Sequence, residues 1–364
     1  MSEINSSINV KRIKRQILKH VKLVRIALLI TALLPLSILL FTSVKLVRQS
    51  VIGKGISLAI NFILPDNKKI ITTDGQVNVL ILGTAGAGRG AMDEDITDTI
   101  IFASIPVKTG KISLVSVPRD IWIPNLKDKI NSAYAYGKRK GGVKTGMILA
   151  RSTVEEIIGK DISYTIVINF NQFKDIIDAI GGIDIDVKTP FTDNQYPIAG
   201  KENDTCGGDV SLSCRYETVS FKSGLQHMDG ELALKFVRSR HAEGPEGGDI
   251  AREKRQQLVI MAIAKKVLSP QVLANPSVDL KLLQILENNI QLDLNPTEIA
   301  ILGRLIFNSR KNISAQSIPS NLLYNPPNQY LYHNDFYTHA FVFIPAEKDR
   351  KWTDVQNWVN SFLR

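Results

Sequence analysis

Beyond residue 76 the chain alternates short apolar runs with segments of helical period, and this restricts the fold more than any other feature. Residues 77–82 form a continuous apolar run stopped by Gly83. Residues 99–105 and 111–117 form two more, joined by the turn Lys108-Thr109-Gly110. Further strands are predicted over 164–170 and 183–187, the second following the helix stop Gly181-Gly182. Helices are predicted over 145–158, 173–180, 252–267, 281–288, 296–308 and 352–363. Such alternation implies an α/β domain with a central sheet covered by helices. A polar excursion, residues 189–223, interrupts the pattern; a loop of that length has structure of its own or a functional role.

The formal charge of +10 has to be located before it is interpreted. Residues 1–50 hold nine Lys or Arg against one acid, Glu3, a net +8, so only +2 remains for all the rest. A nucleic-acid-binding domain keeps its basic footprint in its folded part, so nucleic acid is not an expected partner. The basic head runs into residues 26–44, charge-free, containing Pro35, and long enough to cross a bilayer as a helix. Lys and Arg crowd its N-terminal side, which holds the N-terminus in the cytoplasm and exports the remainder. A cleaved signal peptide is the rival reading, but no small-x-small cleavage site follows the run. The expected organisation is a cytoplasmic basic segment (1–25), a transmembrane helix (26–44) and a juxtamembrane stalk (45–76). A folded domain (77–268) follows, with a C-terminal extension (269–364) packed onto it. Cys206 and Cys214 are the only cysteines. Outside a membrane, a close pair without nearby histidine is expected to form a disulfide, not a zinc site.

Four arginines are concentrated in Arg238-Ser239-Arg240-His241 and the segment from Asp249 to Gln257. Read as a strand, loop and helix, the passage sets Arg238 and Arg240 on one face roughly 6.5–7 Å apart. Arg252 and Arg255 share a helical face. Two such charges at about 7 Å repel by roughly 2.4 kcal/mol at an effective dielectric near 20. They require acidic partners or a bound anion. Glu243, Glu246 and Asp249 could neutralise them internally, while the planar forks also suit phosphate oxygens.

Residues 83–90 are Gly-rich, but no Gly-Lys-Ser/Thr follows and no helix opens there, so a nucleotide loop is rejected. The acidic run Asp93-Glu94-Asp95-Ile96-Thr97-Asp98 comes next, and its carboxylates could hold a hard divalent cation. Asp98 directly precedes a strand, where capping is the plainer role. Arg119 projects from the end of a strand closed by Pro118, and an ion pair with Asp120 is the plainer reading there. Lys129 and Asn131 are further possible phosphate contacts.

Together these segments resemble the LytR-CpsA-Psr family of cell-envelope phosphotransferases. The resemblance spans residues 77–264 and rests on motifs in a fixed order. They are Thr97-Asp98-Thr99, Ser116-Val117-Pro118-Arg119-Asp120, Lys129-Ile130-Asn131-Ser132-Ala133-Tyr134, Gly141-Gly142 and Val167-Ile168-Asn169-Phe170. Then come Ile177-Asp178-Ala179-Ile180-Gly181-Gly182-Ile183, Gly224-Leu225-Gln226-His227-Met228-Asp229-Gly230-Glu231, and the two arginine segments.

The resemblance implies a central mixed β-sheet covered by helices on both faces. It implies transfer of a glycopolymer phosphate from a polyprenyl-pyrophosphate carrier to a hydroxyl of peptidoglycan or another wall glycan, outside the cell membrane. The lipid would lie in an apolar tunnel between sheet and helices. By position, Arg119, Arg238, Arg240, Arg252 and Arg255 would clamp the pyrophosphate, with Lys129 and Gln256 assisting. Catalysis would fall to Asp98, Arg119, Arg238 and Arg240. Asp98 and Asp95 would serve Mg²⁺ or Mn²⁺, or Asp98 the incoming hydroxyl. The chain departs from the family at Ala85, where relatives often carry an acid, and at Ile96, where they often carry an arginine. These departures favour, as the alternative, a protein that binds or hydrolyses lipid pyrophosphate without transfer.

Overall fold

The apolar run at 77–82 becomes the middle of a strand whose alternate side chains feed two cores, as a period of two dictates. Val77 and Val79 point to one face of the sheet, Leu80 and Leu82 to the other. In this computed structural model residues 60–86, 94–273, 275, 277–278, 281–282, 284–285, 290–327, 341–347 and 351–364 are described. The elements that position the site are, in chain order, β1 (Gln76–Thr84), β2 (Thr97–Pro106), β3 (Ile112–Ser116), α1 (Ala133–Ile158), β4 (Tyr164–Asn169) and α2 (Phe170–Ala179). They continue with β5 (Ile183–Val187), β6 (Phe191–Pro197), β7 (Tyr216–Phe221), β8 (Gly224–Met228), α3 (Gly230–Arg238) and α4 (Gly248–Val267). The last are β9 (Gln291–Leu292), α5 (Pro296–Ser309), β10 (Ile313–Ser317) and α6 (Thr353–Leu363).

The central sheet has the order β9-β4-β1-β2-β3-β10. It is mixed: β1 pairs antiparallel with β2 and parallel with β4, and β10 joins β3 in parallel. Residues beyond 268 thus contribute both edge strands. Helices cover both faces. Val154 and Ile157 of α1 and Val355 and Val359 of α6 pack on the Leu80 side. Ile301, Leu302 and Leu305 of α5 pack on the Val79 side. A third core gathers α2, α3, α4, the antiparallel pair β5–β8 and the hairpin β6–β7 around Phe191, Phe221 and Phe236. Residues 61–364 form one compact unit.

Several sequence expectations change. Residues 230–237 are helical, so the arginine passage is helix-loop-helix, with Arg238 the last residue of α3 and Arg240 beyond it. Asp229 caps α3 by accepting from the Leu232 N–H at 2.8 Å, and apolar Ala233, Leu234, Phe236 and Val237 are buried, a helical stripe where a strand was expected. The helix ending at Ile158 starts at Ala133, and a break at Gly141 and Gly142 hides its first turns from a periodicity reading. The polar excursion is the β6–β7 hairpin, with the Cys206–Cys214 disulfide in the loop at its tip. The expected membrane helix, residues 26–44, and most of the helix expected over 281–288 lie outside the described residues. Among the described residues no helix is long and apolar enough to cross a membrane.

Candidate active site

Three strand ends and one helix start meet at the C-terminal end of β3. Asp98 lies at the start of β2, and Arg119 follows β3 after Pro118, where a residue without an N–H closes the ladder. The Arg119 backbone carbonyl accepts from the Asn131 N–H at 3.4 Å, and Thr97 Oγ1 donates to the Asn131 carbonyl at 3.1 Å. The 129–134 segment is thereby stitched beside the strand ends. Arg119 Nη1 donates to Asp98 Oδ1 at 2.5 Å, and its Nε lies 3.5 Å from Asp120 Oδ2. Lys129 Nζ meets Asp120 Oδ1 at 2.5 Å. Asp120, treated in the sequence only as a local partner of Arg119, joins two predicted anion contacts.

Arg252 enters from the first turns of α4, 5% exposed, with Nη1 2.5 Å from Asp249 Oδ1 and Nε without a hydrogen-bond partner. Its surroundings are uncomfortable for a cation. Burial lowers its proton affinity below the ordinary arginine value, the charges of Arg119 and Arg240 lower it further, and Asp249 and Asp98 only partly offset them. Arg119 is the reverse case. Burial pulls it down, but Asp98, Asp120 and Asp249 together hold it above its ordinary value. Arg119, Arg240 and Arg252, from three separate parts of the chain, therefore share one electrostatic environment. A buried guanidinium with an unused donor beside two other cations is a place where phosphate oxygens are favoured.

The loop presenting Arg240 is held from inside. Asp193, fully buried in β6, accepts from the Arg240 N–H at 2.9 Å and the His241 N–H at 3.2 Å through Oδ2, and from the Gln195 N–H at 2.9 Å through Oδ1. Gly248 closes the loop by donating to the Arg240 carbonyl at 2.8 Å, with φ of +80°, a conformation that favours glycine. At Gly247 a Cβ would sit 2.2 Å from the Ala242 carbonyl oxygen. Asp193 was missed in the sequence, although an acid at an inward position between Phe191 and Tyr196 was a readable signal. The Arg240 side chain is exposed. Arg238 lies over Phe170, 4.5 Å from the ring centre, and donates to Tyr196 Oη at 3.2 Å.

Arg255, expected in the clamp, has its guanidinium engaged by groups of the protein itself. It is 2% exposed and donates to the carbonyls of Phe236 (3.0 Å), Glu246 (2.9 Å) and Ser239, and to Glu246 Oε2 (3.0 Å). Its guanidinium lies over Phe191 at 4.7 Å. Of the acids considered for internal neutralisation, Glu246 and Asp249 serve Arg255 and Arg252. Gln256 is partly buried on the Arg252 face of α4. Its neighbour Gln257 ties the helix to the sheet by donating to Ser116 Oγ (3.0 Å) and Ser317 Oγ (3.1 Å).

The acidic run divides. Asp98 pairs with Arg119, whereas Asp95 meets Lys138 Nζ at 2.6 Å; Asp93 lies outside the described residues. Among the described residues the one group of three potential ligands is Asp204 with the disulfide sulfurs of Cys206 and Cys214, which is no metal shell. A hard divalent ion commonly takes one or two carboxylates, with water and substrate phosphate completing its shell. Asp98, beside the phosphate-suited arginines, fits that donor set. Asp95 would first have to release Lys138. Ala85, buried at the end of β1, supplies no ligand.

Residues 56–341 match the LytR_cpsA_psr family. The polyisoprenyl-teichoic acid–peptidoglycan teichoic acid transferase TagU of Bacillus mycoides is 28% identical over 255 residues, 69% of this chain and 71% of that protein. TagU of Oceanobacillus iheyensis is 30% identical over 264 residues, 70% of this chain and 71% of that one. The crystal structure of B. subtilis TagV, 24% identical, superposes on 80% of this chain and 98% of its own with a TM-score of 0.53, a likeness of fold.

Proposed function

The chain belongs to the LytR_cpsA_psr family, and on that footing we propose that it is a membrane-anchored phosphotransferase working outside the cytoplasm. It moves a glycopolymer phosphate from a polyprenyl-pyrophosphate carrier to a hydroxyl of peptidoglycan. The relatives named as teichoic acid transferases support the reaction class. The charge-free run at 26–44 behind a basic head supports the anchor. The observation that carries the proposal is the buried Arg252, its Nε without a hydrogen-bond partner, set near the Arg119–Asp98 pair at the sheet's end.

The chemistry needs little beyond positioning and charge. An acceptor hydroxyl oxygen bonds to the phosphorus bearing the glycopolymer while that phosphorus's bond to the bridging oxygen breaks, the oxygen staying with the lipid-side phosphate. The hydroxyl proton goes to a carboxylate or solvent, and polyprenyl phosphate leaves. Arg119 and Arg252 neutralise charge growing on the bridging oxygen, Arg240 reaches the outer phosphate, and Lys129 is a reserve cation now held by Asp120. Asp98 serves the divalent ion or the incoming hydroxyl. Mg²⁺ held there would supply further neutralisation of phosphate charge. Ile81, Ile166 and Ile260, partly buried beside the core between sheet and helices, are candidates to touch the lipid chain.

The test is direct. Full-length protein in detergent receives Mg²⁺, a polyprenyl-pyrophosphoryl saccharide and a peptidoglycan acceptor, and phosphate-linked glycan is measured. Product formation is expected. Donor binding or hydrolysis without product would reject transfer and leave the binding-or-hydrolysis alternative, which the missing acid at Ala85 favours.

A further inference from the structure

On the outer side of α4 a cavity of about 580 Å³ opens between that helix and the segments around residues 315–323 and 341–343. It adjoins the arginine cluster, since Asp120, Asp249 and Arg252 border both. Its lining has two characters. Phe341, half exposed, meets Phe343 edge to face with ring centres 5.0 Å apart and forms an aromatic wall. Gln257, Gln316, Ser317 and Glu253 offer amide, hydroxyl and carboxyl groups. Its charges are mixed, with Asp120, Asp249 and Glu253 against Arg252 and Lys254, so the cavity as a whole does not select an anion.

A ligand matching this lining presents an apolar face to a ring and hydroxyl groups at its edges, which describes a pyranose. The volume lies within the roughly 300–1,000 Å³ of small-ligand pockets. Gln257 already spans to Ser116 at the end of β3, so one wall of the cavity is fixed to the strand that presents Arg119. We propose that this cavity is the acceptor subsite, holding one sugar of a wall-glycan strand beside the phosphorus gripped by Arg119 and Arg252. This rests on the transferase reading above. Phe341 supplies the stacking surface, and Gln316 and Glu253 address the sugar's hydroxyls.

The experiment uses the full chain in detergent, a polyprenyl-pyrophosphoryl saccharide as donor and a soluble peptidoglycan oligosaccharide as acceptor. Phe341→Ala removes the exposed ring, and Ser320→Trp fills the cavity from its rim. Both should raise KM for the acceptor about tenfold, equivalent to roughly 1.4 kcal/mol, while KM for the donor stays within about twofold. Calorimetric titration of the oligosaccharide alone should show the same loss of affinity. That arm reads out even if the wild-type protein forms no transfer product, so failure of the transferase reading and failure of the subsite are separable. Unchanged oligosaccharide affinity in both variants overturns the proposal. So does a rise in donor KM, which would assign the cavity to the donor's own sugar.

Discussion

Arg252 and Arg255 lie three residues apart on α4, are almost equally buried, and have opposite surroundings. Arg255 sits among Phe191, Phe236 and three backbone carbonyls, with Glu246 completing its charge balance. Its donors point inward and join the end of α3, the loop after it and α4. Arg252 has one acid in direct contact, Asp98 acting from further off, two neighbouring cations and an Nε with no hydrogen-bond partner. Burial does not tell these two arginines apart. The supply of acceptors does. Where carbonyls converge, the guanidinium is consumed by the fold; where they do not, it remains available to a ligand.

The largest effect that could break this contrast is on stability. Arg255→Ala strands Glu246 and three carbonyls, and removing one partner of a buried charged pair costs about 3–5 kcal/mol. A urea melt should show a loss of that size, with Arg255→Lys recovering only part because an ammonium cannot fork. A melt indistinguishable from wild type would mean that Arg255 is no strut. Next comes Arg252→Ala. Loss of its hydrogen bonds to a charged group should lower kcat/KM by about 10- to 150-fold, equivalent to about 1.5–3 kcal/mol, with a smaller change in stability than Arg255→Ala. Equal losses of stability in the two variants would erase the distinction.

The smallest effect sharpens the picture on the site side. Burial raises the proton affinity of the Glu253 carboxyl, and a Ser317 hydrogen bond and Arg252 only partly offset it. A carboxyl raised in the folded state favours folding below its ordinary value of 4.5, and that contribution is lost as pH rises through the folded value. Glu253→Gln should therefore raise the melting temperature at neutral pH by about 1–2 °C and give no gain in acid. A gain that persists unchanged in acid would show that ionisation is not the cause.

Much of the sheet was readable because its signal is local. The runs of β1, β2 and β3 are apolar on both faces, as strands covered from both sides must be. The helix after β4 carries a capping box between Asn169 and Gln172, visible in sequence yet placed three residues late when periodicity alone was followed. The misreading of α3 has the same root. Residues 232–237 suit a strand or a helix over so short a span, and the Asp229 cap decides between them. Within the site, Asp98, Arg119 and Arg252 were legible as candidates because strand ends and helix starts restrict where a side chain can go. Asp193 and the fate of Arg255 were not, because their partners lie 47 and 19 residues away along the chain.

The order of residues alone determined that a helix-covered sheet forms and that arginines accumulate near its strand ends, since apolar period and composition act over neighbouring residues. The three-dimensional structure alone decided which guanidinium groups the fold uses up and which it leaves beside one another. It also placed the aromatic cavity next to them. The reason is that electrostatic environment and hydrogen-bond supply depend on groups brought together from β2, β3, β6, α3 and α4, and no local window of sequence contains them all.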